Sequence, residues 1–311
     1  MCSSDLRTFV RLDSGAFGGE NYLQASVLYH DAKAWDFNGH QRGGQANAKF
    51  VHDGEAGKFT AFLNYNDKVE PNEDSIVHGP ADPNPPYTRP FLYPDYNAAL
   101  AYLSNAGAPP ASAGNNFSNY HSAAQRNDWL GYGKYELRLN DAVIWSTTAY
   151  YHKNDGRGLW FTPYTPSPDG TPVALRTTEY GIKRNGVSAT LEYDLAGHQL
   201  RASVWHENND FDQARRFYAT SPSAVPSPYD FPSNPFFTQW QYAFTTKTTQ
   251  FSLSDTVALA KDLTLGFGFK SLRAKIDGDL QVGTTQPSGS ITASKGFLPQ
   301  IGVNYQLSST D

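Results

Sequence analysis

Apolar and polar residues alternate with a period of two along most of this chain. Asn21–Asp31 sets Leu23, Ala25, Val27 and Tyr29 against Gln24, Ser26 and His30. Lys58–Asp67 sets Phe59, Ala61, Leu63 and Tyr65 against Thr60, Asn64 and Asn66. Trp129–Asn140 opposes Tyr135, Leu137 and Leu139 to Lys134, Glu136 and Arg138, and Val143–Asn154 opposes Val143, Trp145, Ala149 and Tyr151 to Ser146, Thr148 and His152. Thr8–Ser14, Gln45–Val51, Val187–Leu195, Gln199–Asp210, Thr248–Leu259, Leu263–Ile276 and Phe297–Leu307 complete the series. Successive side chains of a strand point to opposite faces, so this period predicts eleven strands, each with one apolar side.

The connections between these segments alternate in length. Those over 15–20, 53–57, 140–142, 196–198 and 260–262 are short and carry turn chemistry such as Gly18-Gly19, Asp53-Gly54, Asn140-Asp141 and Ala196-Gly197. Those over 32–41, 68–127, 155–185, 211–246 and 278–296 are longer. An antiparallel series with this rhythm places every long loop at one end, which is the habit of outer-membrane barrels and not of soluble sandwiches. The polar residues of the strands are mixed Gln, Asn, Thr, Ser, Lys, Glu and Arg, suiting a wet lumen better than a dry core. The expected fold is an all-β, antiparallel transmembrane β-barrel. Closed antiparallel barrels hold an even number of strands, so the expectation is about 11 strands of a 22-stranded barrel. Leu63, Tyr135, Leu137, Leu191, Val204, Phe267 and Val303 should face lipid, and Asn64, Glu136, Arg138, Ser203 and Asn304 the lumen. Arg in place of Leu137 should then cost roughly 2–4 kcal/mol, and in place of Glu136 far less.

Composition sharpens this picture in three places. No run of about 18 apolar residues exists, which excludes transmembrane helices and leaves strands untouched. Tyr (19), Phe (19) and Trp (6) are abundant and gather near segment ends, at Tyr22, Trp35, Tyr65, Trp129 and Tyr151, where interface girdles stand. The net charge of -5, with no basic patch, argues against nucleic acid as a partner. Residues 1–7 have no apolar core and no small-residue cleavage site of a signal peptide. They read as a non-native leader, similar to translated adapter sequence, which would make Cys2 foreign; 8–311 is then the partial barrel.

Two stretches carry a resemblance. Tyr22–Asp36, "YLQASVLYHDAKAWD", with Gly43–Phe50, "GGQANAKF", resembles the early barrel hairpins of TonB-dependent outer-membrane receptors. Ser294–Leu307, "SKGFLPQIGVNYQL", is similar to a loop-Pro-strand segment midway through those barrels. The resemblance implies energised uptake of a scarce nutrient across the bacterial outer membrane, above all a ferric siderophore or similar iron chelate. It also implies coupling to the TonB energising complex through N-terminal parts, a plug and a TonB box, that have no counterpart in these residues. Outer-membrane lipid and lipopolysaccharide would surround such a barrel. A passive porin-like or hydrophobic-solute channel would share its loops and turns, and a soluble β-rich carbohydrate-binding protein would share its alternation.

No catalytic or cofactor pattern competes with these readings. There is no GxSxG elbow, P-loop or HExxH, and the eight His are scattered without metal-ligand spacing. The glycines at 131, 133, 266 and 268 lie mid-strand with no helix following. Glu136 stands between Lys134 and Arg138 on one face, a charge ladder rather than an acid/base pair. The chemistry-bearing residues fall in the predicted loops: Tyr87, Arg89, Tyr93 and Tyr96 among the prolines of 68–127, Trp160 in 155–185, and Arg215, Arg216, Tyr218, Trp240 and Tyr242 in 211–246. Asp95 would cap a short helix through Ala98–Leu103. Rigid aromatics with Arg suit an anionic, partly aromatic chelate; they also suit loops packed on one another and Arg bound to lipopolysaccharide phosphate.

Overall fold

A computed structural model describes residues 5–33, 39–71, 96, 100, 123–162, 165–284 and 287–307. Eleven strands run in chain order through one antiparallel sheet. They are β1 (Asp5–Phe17), β2 (Asn21–Lys33), β3 (His40–Gly54), β4 (Gly57–Pro71), β5 (Ala123–Asn140), β6 (Val143–Thr162), β7 (Ala174–Leu195), β8 (His198–Ala219), β9 (Phe237–Ala260), β10 (Leu263–Val282) and β11 (Gly289–Tyr305). Because every neighbour is antiparallel, the turns at 18–20, 55–56, 141–142, 196–197 and 261–262 share one end. The connections at 34–39, 72–122, 163–173, 220–236 and 283–288 share the other. The strand count and the segregation of turns from loops match the expectation.

Strand length does not. The predicted loops 155–185, 211–246 and 278–296 shrink to 163–173, 220–236 and 283–288, because β6 to β10 continue far past the alternating segments. Trp160, Arg215, Arg216, Tyr218, Trp240 and Tyr242 are therefore strand residues and not loop residues. β1 also begins at Asp5, inside the stretch read as leader, with Asp5, Leu6 and Arg7 paired to Ala32, Asp31 and His30.

The register separates two chemistries. One cross-strand row runs Leu137–Trp145–Leu191–Ala202–Leu253–Phe269 through β5 to β10. The next row, on the opposite face, runs Glu136–Ser146–Thr190–Ser203–Ser252–Lys270. Leu63, Val204 and Phe267 on the apolar face are 50, 46 and 45% exposed, whereas Thr60 and Thr190 on the polar face are buried. A continuous stripe of large exposed hydrophobics across a sheet needs an apolar solvent. Its span on β6 is Val143–Tyr151 and on β7 Val187–Leu195, the short end of the range over which a tilted strand crosses a bilayer. Aromatics edge it, with Tyr65 and Trp129 in ring contact at 4.4 Å.

Above this band the same face turns polar at Lys153, Asp155, Lys183 and Asn185. Farther up it closes into a small core of Leu159, Phe161, Val173, Leu175 and Tyr218, with Tyr96 from the long connection packed on Phe161 at 5.5 Å. Tyr96 and Leu100 have helical backbone; the rest of the expected Ala98–Leu103 helix lies outside the described residues.

Candidate functional site

The upper reaches of β6 to β9 form a hydrogen-bonded wall with two faces. Trp160, Arg176, Tyr180, Phe211, Arg215, Trp240, Tyr242 and Phe244 share the polar face, on which Glu136 and Ser203 also lie. Four register rows bring them together: Trp160–Arg176–Phe217, then Thr178–Arg215–Trp240, then Tyr180–Gln213–Tyr242, then Ile182–Phe211–Phe244. The rings touch in series. Tyr180 lies 6.5 Å from Phe211, Phe211 6.0 Å from Phe244, Phe244 5.7 Å from Tyr242, and Tyr242 5.8 Å from Trp240. The Arg176 guanidinium covers Trp160 at 4.1 Å and the Arg215 guanidinium covers Trp240 at 5.3 Å, both inside cation–π range. Arg215 Nε is buried and has no hydrogen-bond partner among the described residues.

Glycines make room for the rings. A Cβ on Gly156 would overlap the Tyr180 ring, so glycine there lets Tyr180 lie across β6. Below the rings stands a polar network. His152 contacts Asp128 at 2.9 Å and accepts from Arg184 at 3.0 Å, while Tyr150 donates to Glu207 and accepts from Trp205 Nε1 at 2.9 Å.

Arg216 points the other way, since neighbours along a strand alternate faces. It pairs with the buried Glu179, which also accepts from the Tyr218 hydroxyl and, at 2.8 Å, from Thr177 Oγ1. Arg216 reaches Gln241 Oε1 at 3.2 Å. Burial above all, then the hydrogen bond to Glu179, raises the Tyr218 phenol above its ordinary value, so it remains a donor. The connection 220–236 folds against this same face. Pro228 and Asp230 carbonyls accept from Gln125 Nε2, the Pro232 carbonyl accepts from Arg157, and Phe231 lies 3.8 Å from the Arg157 guanidinium.

Of the residues singled out in the sequence, the structure gathers Trp160, Arg215, Trp240 and Tyr242 on the polar face. Arg216, Tyr218 and Tyr96 sit on the opposite face, Arg216 and Tyr218 bonded to Glu179 and Tyr96 packed on Phe161. Tyr87, Arg89 and Tyr93 lie outside the described residues. Tyr180, Phe211 and Phe244 were missed, although the alternation Trp240-Gln241-Tyr242-Ala243-Phe244 signals one aromatic side of a strand.

A single meandering sheet with an apolar band, short turns at one end and tall strands at the other is the fold of the large outer-membrane receptor barrels. Solved siderophore receptors share it. The chain is similar to FpvA, the pyoverdine outer-membrane receptor of Pseudomonas aeruginosa, at 13% identity and a TM-score of 0.69, over 98% of this chain and 43% of that one. It is similar to BauA, the ferric preacinetobactin receptor of Acinetobacter baumannii, at 13% identity and 0.64, over 99% and 44%. Against the ferric citrate transporter FecA the figures are 13% and 0.63, over 98% and 42%. The chain thus spans less than half the length of these receptors. No family model matches the sequence, and no curated protein does.

Proposed function

We propose that this chain forms part of an outer-membrane receptor barrel that takes up an anionic iron chelate, with the polar face as its lumen. The observation that carries this reading is the aromatic stripe of Trp160, Tyr180, Phe211, Trp240, Tyr242 and Phe244, flanked by the guanidinium groups of Arg176 and Arg215. Flat rings stack on planar chelating groups, and guanidinium forks bind their carboxylate or hydroxamate oxygens. Strands paired on both sides hold these groups in place, so little entropy is lost on binding. The solved receptors named above bind or carry ferric preacinetobactin, pyoverdine and ferric citrate, which supports the same substrate class here. Energising by TonB and contact with lipopolysaccharide belong to the same proposal.

The two adjacent arginines test it. Arg215→Ala is expected to weaken binding of the cognate ferric chelate about tenfold, the equivalent of one charge-assisted contact. Arg216→Ala should leave affinity unchanged while lowering stability. Binding is read by quenching of tryptophan fluorescence, with Trp240→Ala as a second lumen variant. Wild-type affinity in folded Arg215→Ala and Trp240→Ala proteins would remove the stripe from the site.

A further inference from the structure

The polar face changes character across the sheet. At the height where β7 to β9 carry Tyr180, Gln213 and Tyr242, the same register row continues over β6 to β2 as Gly156, Arg126, Lys68, Gly43 and His30. One half of this row is aromatic and the other is basic. None of the basic residues belongs to the aromatic stripe.

Lys68 and Arg126 are direct register partners on β4 and β5. Like charges opposed on one face repel, so the pair favours an anion set between its members. Lys68 has Glu70 beside it on β4. Arg126 is exposed and forms no hydrogen bond or ion pair among the described residues. The nearest carboxylate along β5, Asp128, is engaged by His152 at 2.9 Å and by Asn154 at 2.6 Å. A guanidinium therefore stands without a counter-charge on a wet face.

Glycine decides what flanks this pair. A Cβ on Gly43 would lie 2.6 Å from His30 Cε1, and one on Gly156 would overlap the Tyr180 ring. Bare backbone on β3 and β6 thus lets the imidazole lie over β3, next to β4, and the phenol over β6, next to β5. Adjacent strands are about 4.8 Å apart, so a ring stacked on Tyr180 comes within about one strand spacing of Arg126. The row offers an ammonium, a guanidinium fork, an imidazole and a phenol hydroxyl, drawn from four strands. A carboxylate brings two oxygens and one charge to such a set. A phosphoryl group brings three oxygens and more charge, and suits it better.

We infer that His30, Lys68, Arg126 and Tyr180 form a second ligand site, for a metal-free aromatic compound bearing a tetrahedral oxyanion, phosphoryl or sulfonyl. The anion bridges Lys68 and Arg126 with His30 beside it, and the ring lies on Tyr180. Arg176 on β7 and Arg215 on β8 stand two and three strands away from Arg126 and serve other ligand groups. The inference rests on the polar face being a wet lumen, and not on iron-chelate uptake.

The full chain, folded in detergent micelles, is titrated with three iron-free probes: naphthyl phosphate, naphthalenesulfonate and naphthoate. Fluorescence polarisation reads binding, and heat-modifiable gel mobility reports folding. The phosphate or the sulfonate is expected to bind about tenfold tighter than the carboxylate, and the tighter of the two names the oxyanion. Arg126→Glu and Lys68→Glu should each weaken that probe about tenfold, and the milder Arg126→Gln should lose part of the same affinity. Lys270→Glu makes the same charge change on the same face, five strands from β5, and should leave binding unchanged. Inorganic phosphate should displace naphthyl phosphate, whereas chloride at equal ionic strength should not. Wild-type affinity in folded Arg126→Glu and Arg126→Gln, or an equal loss in Lys270→Glu, would overturn the site. Naphthoate binding as tightly as the other two would overturn the ligand class. Because no probe carries iron, failure of Arg215→Ala to weaken ferric-chelate binding would sink the uptake reading and leave this site standing.

Discussion

Arg in place of Leu191 should cost the membrane-embedded protein roughly 2–4 kcal/mol, whereas Arg in place of Glu192 should cost far less. The two positions are adjacent on β7 and differ only in the face they serve. Leu191 lies at mid-height of the band, between Trp145 and Ala202 in its register row. A guanidinium there meets hydrocarbon with no partner in reach. At Glu192 it meets the wet face, where the substitution removes only the exposed pair with Arg201. Urea unfolding from vesicles, followed by tryptophan emission, gives both free energies. Equal losses would mean that the two faces share one solvent.

Glu179→Ala should cost about 2–3 kcal/mol. The carboxylate serves Arg216, Tyr218 and Thr177 at once, and Tyr218 and Thr177 are buried. Its removal strands the Tyr218 phenol without its acceptor, leaves the Thr177 hydroxyl only the Arg216 carbonyl at 3.4 Å, and leaves Arg216 with Gln241. Breaking a fully buried pair costs about 3–5 kcal/mol; the figure is discounted here because the Arg216 side chain is 26% exposed. Glu179→Gln, which keeps an acceptor for Tyr218, should lose less than half as much. The same urea titration checks both, and a loss in Glu179→Ala no greater than in Glu179→Gln would show that a neutral acceptor contributes nothing here and that the whole loss follows the charge.

The alternation was readable wherever one face meets hydrocarbon and the other water. Val187–Leu195 and Val143–Tyr151 carry it, and their strands were placed correctly. Where both faces are wet the contrast disappears, and the strands were read as loops. Lys183 to Thr177 on β7 offers Lys, Gly and Glu to one side and Ile, Tyr and Thr to the other, a pattern with no apolar face to find. The same blindness put Arg215 and Arg216 in one loop with one role. Once they are placed on a strand, adjacency itself dictates opposite faces. Turn chemistry was legible throughout, because Gly18-Gly19 and Ala196-Gly197 need backbone conformations with positive φ, and all four residues adopt them.

The height of the apolar band has a further consequence, for the membranes this sheet fits. Val187–Leu195 rises about 30 Å along the strand at ~3.3 Å per residue, and a tilt near 45° brings this to about 20 Å along the bilayer normal. An average hydrocarbon core is about 30 Å thick. In a bilayer of that thickness, Tyr151 and Trp129 would be drawn below the headgroups, or the lipid around them would have to thin. A thinner membrane relieves both strains. The height of the band thus bears on which bilayer the sheet fits, through geometry rather than through any peptide motif. Lengthening the band by one outward residue pair per strand should shift the protein's preference toward thicker bilayers.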